Sequence, residues 1–153
     1  MNTIVEPTLN PATAARTRAR HVRHVAAGGG SVSFDLAAGD RVTLTDPEGL
    51  QPGHLYVAGP AGAAQALLPG FTVETVNTAS APAFAQALLA AAPAGWTLAR
   101  TEVFGAEGLP GAQVDLNAPR ALRCALHAPG EDMQPDAQNA PTELIADIEC
   151  AEP

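Results

Sequence analysis

The sequence predicts a mainly β domain of the α+β kind, an antiparallel sheet in a barrel-like or sandwich arrangement with one proper helix. Three observations carry this. Several short stretches alternate apolar and polar residues with period two, glycine, proline and aspartate interrupt them, and one segment alone reads as a proper helix. With 153 residues, 46% of them hydrophobic and 16% charged, the chain suffices for one globular core. Aromatic residues make up only 4%, so that core must be mostly Ala, Val and Leu.

Taken in order, "LNPATAAR" offers a helix start at Asn10-Pro11, ahead of a basic arm, "RTRARHVRH". Residues 1–24 are therefore expected to form an N-terminal helix and arm, and residues 25–153 a single β-rich domain. "SVSFDL" alternates, with Val32, Phe34 and Leu36 on one face. "AAGD" turns, "RVTLTD" alternates again, and "HLYVAG" follows a loop. These three strands predict one antiparallel unit in which Gly39 takes the positive-φ turn position and Asp40 bonds locally. "PAGAAQALLPG" holds a helical turn, and "FTVETV" reads as a strand. The proper helix is "SAPAFAQALLAAAPAG", expected near 81–92, with Ser80 as cap and Phe84 above Leu88 at i, i+4. Beyond it come "WTLARTEVF", "AQVDL", "RALRCALHA" and "ELIADIE". The last is expected to pair beside "RALRCALHA", with Leu144, Ala146 and Ile148 on one face.

The net charge of −8 argues against nucleic acid as a partner, because phosphates would be repelled. No apolar run reaches the length of a membrane span, and the N-terminal stretch lacks a signal-like apolar segment. Neither membrane nor export is therefore expected, and the cytoplasm is the default, where Cys124 and Cys150 fit free thiols, with a single disulfide between them as the alternative. All eight basic residues are arginine, and Arg16, Arg18, Arg20 and Arg23 crowd into the arm. A basic arm on an acidic body is expected to dock on its own domain, on a partner chain or on a second copy.

Chemistry-bearing positions are sparse. No serine lies in a nucleophile elbow, and no glycine-rich phosphate loop precedes a helix. Cys124 and His127 are the metal candidates, although residues three apart on a regular strand face opposite ways, and the remaining ligands would have to come from His54, Cys150 and acids. The stretch "PGEDMQPDAQNAP" has no hydrophobic periodicity. Within it Asp132, Asp136, Gln138 and Asn139 have the carboxylates and amides that a cation or an amine needs. The same residues also suit plain loop-shaping bonds to their own backbone, and the sequence leaves both readings open.

"VSFDLAAGDRVTLTDPEGLQPGHLYVAG" resembles the opening of the urea-carboxylase-associated family, and "PGEDMQPDAQNAPTELIADIE" resembles closing stretches of such domains when fused to folate-binding aminomethyltransferase-like domains. Demethylases of trimethylamine N-oxide have that fusion. The likeness covers about a third of the chain. It implies a β-rich module in small methylated-amine metabolism, where C–N cleavage gives dimethylamine and formaldehyde. It also implies zinc or iron as the metal, and folate only through a partner domain. The family's central His, Asp, Asn and Cys cluster has no counterpart in "ALLAAAPAGWTLARTEVFG". The expectation is therefore an accessory or N-terminal module, with a structural subunit or small-ligand-binding module as the alternative.

Overall fold

A computed structural model describes residues 20–130 and 140–151. The expected helix after Asn10, Arg16 and Arg18 of the arm, and the four loop residues Asp132, Asp136, Gln138 and Asn139 lie outside the described residues.

The strands are β1 (His21–Ala26), β2 (Ser31–Leu36), β3 (Arg41–Asp46), β4 (Gly53–Pro60), β5 (Glu74–Thr75), β6 (Trp96–Phe104), β7 (Ala112–Asn117), β8 (Leu122–His127) and β9 (Leu144–Glu149). They form two antiparallel sheets, β1-β9-β3-β7 and β2-β8-β4-β6-β5. When the two-residue β5 is set aside, the other eight strands in chain order read 1-8-3-6 and 2-7-4-5. That is the double Greek key of a jelly roll, in which successive strands alternate between the facing sheets except at β4 and β6, which pair within one sheet.

The fold class is as the sequence predicts, and the pairing is not. β2, β3 and β4 do not form one unit: β2 pairs with β8, β3 with β7 and β9, and β4 with β6 and β8. The Gly39-Asp40 turn crosses between sheets instead of closing a hairpin. Gly39 has φ of 88°, and the buried Asp40 carboxylate accepts from Ala37 N and Ala151 N, each at 2.8 Å. Asp40 thus ties the crossing to the end of the chain. Likewise β9 lies between β1 and β3, away from β8. Its expected faces are correct, with Leu144, Ala146 and Ile148 buried.

β1 straddles the boundary expected at 24/25, so the end of the arm is a strand of the sheet. Its inward positions are Val22, His24 and Ala26, and the His24 ring stacks on Phe34 at 5.6 Å. On its outer side Arg23 makes a two-pronged contact with Asp147, at 2.8 and 3.1 Å, which raises the guanidinium pKa. This part of the arm does meet an acidic surface of its own domain.

The interior between the sheets is aliphatic. Leu44, Leu55, Leu126, Leu144 and Val57 are at most 1% exposed, and α1 (Ala63–Leu67) adds Leu67 to the same cluster. A second, smaller cluster lies on the opposite face of the five-stranded sheet. There Tyr56, Ala58, Leu98 and Ala125 meet Ala81, which precedes α2 (Ala83–Gln86), Ala85 of α2 and Leu88 of the 3-10 turn Ala87–Leu89. These elements are the proper helix, shorter than expected. "FTVETV" contributes only the two residues of β5.

Candidate functional site

The helical segment covers part of the outer face of the five-stranded sheet and leaves the rest open. Side chains alternate across each strand, so register decides which residues meet there. Ser31 is opposite His127, His127 is opposite His54, and His54 is opposite Glu102. The next row along the same face includes Ala125, Tyr56 and Arg100, and Arg100 is opposite Glu74. Two imidazoles, two carboxylates, a guanidinium and the buried Tyr56 phenol therefore share one face of the sheet.

The rings of His54 and His127 are 6.2 Å apart, and His127 lies 4.9 Å from Phe84 of the helical segment. Phe84 meets Tyr56 edge-on at 5.2 Å. His54 Nε2 is 4.0 Å from Glu102 Oε2, and the Glu102 side chain is 62% exposed. Arg100 Nε donates to Glu74 Oε1 at 3.0 Å, and its guanidinium is 6.0 Å from the centre of the Tyr56 ring.

The electrostatics follow from this packing. Burial lowers the His54 pKa first, and the charge of Arg100 adds to the effect against the opposing pull of Glu102 and Glu74. Burial also lowers the His127 pKa, with His54 as second cause. Both rings are therefore neutral at pH 7. Arg100 is held in its charged form by the Tyr56 hydroxyl first and then by Glu74.

The sequence-level metal pair does not come together. Cys124 faces the interior, fully buried, and burial pushes its thiol pKa up. His127 faces outward on the same strand, and one ion cannot reach both. Among the described residues no group of three or more His, Cys, Asp or Glu is gathered to hold a metal. Cys150 is partly buried at the far end of β9.

Residues 48–52, Ala106, Pro129 and residues 140–142 line a cleft of about 400 Å³ where the polar loop leaves and rejoins the domain. Asp46 and Gln51, which no local sequence pattern singles out, build it. Asp46, fully buried, accepts from Gly49 N and Gln51 N. Gln51 donates to the carbonyls of Pro52 and Pro129 and accepts from Thr142 N, which pins both ends of the loop. Every polar atom of that amide is engaged within the protein, so it shapes the cleft and has no free group for a ligand.

Comparison with known families, curated proteins and solved structures finds no match to this chain.

Proposed function

We propose that this chain is an accessory, small-ligand-binding module of small-amine metabolism, and that its ligand seat is the His127–His54–Glu102 row beside Tyr56 and Phe84. The observation that carries this reading is the exposed Glu102 carboxylate beside the His54 ring, in a row whose next member, His127, packs on Phe84. A small ammonium ion needs a negative charge and ring faces or lone pairs that do not repel it. The depressed histidine pKa values supply the second condition at pH 7. Arg100 is paired with Glu74, which offsets part of its charge, and Glu102 supplies the row's own negative charge.

Calorimetric titration with dimethylammonium and trimethylammonium at pH 7.5 tests the reading. A ligand as small as dimethylammonium is limited to about −1.5 kcal/mol per non-hydrogen atom, so the tightest Kd to expect is on the order of 0.5 mM. Binding in the millimolar range, weakened about tenfold by Glu102→Gln, supports the seat, a factor that corresponds to about 1.4 kcal/mol. Absence of binding into the tens of millimolar, or equal binding by the variant, removes it and favours a structural subunit.

A further inference from the structure

The helical segment over the outer face is weakly held, and one of its two anchors is a histidine. Apart from Leu88, its buried side chains are Ala81 and Ala85, which cover little apolar area. At its far end Arg123 Nη1 donates to the carbonyls of Ala90 at 2.7 Å and Leu88 at 3.4 Å. At its near end the Phe84 ring rests against His127 and Tyr56.

The environment of His127 is one-sided. Its Nδ1 is buried and has no hydrogen-bond partner among the described residues. In the neutral ring with hydrogen on Nε2, that atom presents only a lone pair. A second proton would place an N–H there without an acceptor, and leaving a buried donor unpaired is costly. The groups around it on the described residues do not relieve this. β4 brings His54 and Tyr56, β6 brings Arg100 and Glu102, β5 brings Glu74, and β2 brings Ser31 opposite the ring, with Asp35 four positions along the same face opposite Arg123 of β8. Glu102 lies beside His54, one position further across the row. Residues 78–92 contain no ionisable side chain.

We propose that His127 is an acid-sensitive latch: a proton on its ring loosens Phe84 and residues 83–89 from the outer face while the two sheets stay folded. The direction follows by linkage. The unfolded ring takes its proton near pH 6.5, and the packed ring takes it only at lower pH. The latch is therefore fully closed above about pH 6.5 and opens as the pH falls below it. This inference stands apart from the ligand reading, because it concerns the packing of the cover in the free protein.

Native-state hydrogen exchange at pH 7.5 and 5.5, corrected for intrinsic rates, reads the latch region by region. Protection at residues 83–89 should fall several-fold more than protection in β3 and β9, up to the ceiling of about tenfold that one proton taken near pH 6.5 in the open state sets over this range. The emission of Trp96, which packs against the same outer cluster, should shift to the red over the same range. His127→Gln, which cannot take the proton, should abolish both changes. If that variant does not fold, Phe84→Leu should show lower protection already at pH 7.5 and a smaller drop on acidification. A uniform loss, no loss, or a persisting change in His127→Gln overturns the latch. So does a gain in protection on acidification, the result expected if a cation–π contact with Phe84 prevailed.

Discussion

The two faces of the five-stranded sheet are built from the same strands and do different work. The inner face presents Leu55, Val57, Leu122 and Leu126, all at most 1% exposed and packed against the other sheet. The outer face presents His54, Tyr56, Ala58, Arg100, Ala125 and His127, partly roofed by an alanine-rich helical segment. Burial of branched aliphatics contributes most of the stability of a small domain, at about 25 cal/mol per Å² removed from water. Alanines contribute little of this, so the roof should open at a lower free energy than the sandwich. Titratable side chains are tolerated on the outer face because water reaches it. Here the aliphatic interior provides stability, and the titratable side chains of the proposed seat lie on the outer face.

The largest expected effect separates the faces directly. Leu126→Ala, in the interior, should cost about 2–5 kcal/mol of global stability in chemical denaturation. Leu88→Ala, under the roof, should cost less, and its loss should appear mainly as faster amide exchange over residues 83–89. Equal global costs would mean that roof and sandwich unfold as one unit, and the contrast would be lost.

A smaller effect sharpens the contrast from the opposite side. Ala91 ends the roof with φ of 57°, a left-handed conformation that suits glycine better than alanine. Ala91→Gly should therefore stabilise the roof by about 0.5–1 kcal/mol and slow exchange there, with the denaturation midpoint of the sandwich nearly unchanged. Faster exchange over residues 83–89 would show that backbone freedom, and not strain, dominates that turn.

The strands were largely legible because their inward positions are branched or aromatic, as with Val32, Phe34 and Leu36 in β2. β1 was not, because its inward positions are Val22, His24 and Ala26, and only one of them is strongly hydrophobic. Pairing was illegible for a topological reason. In this jelly roll most neighbours in sequence lie in the opposite sheet, β4 and β6 excepted, and Ser31 finds its partner at His127. The candidate site shows the same limit. His54 and His127 could be singled out by residue type, but Glu102, Arg100 and Phe84 join them through register and a roof contact that no local spacing reveals. Asp46 and Gln51 sat within a stretch read only as strand end and loop, and their bonds to Gly49 and to Pro129 and Thr142 give them their role.

The central claim is that binding belongs to the outer face. Chemical-shift mapping of the isotope-labelled protein, titrated with dimethylammonium at pH 7.5, tests it most directly. The account predicts saturable shifts at the His54 and His127 rings and at the amides of Tyr56 and Glu102, with β3 and β9 unmoved. Shifts confined to the cleft around Leu50 and Pro141, or none at all, would contradict it.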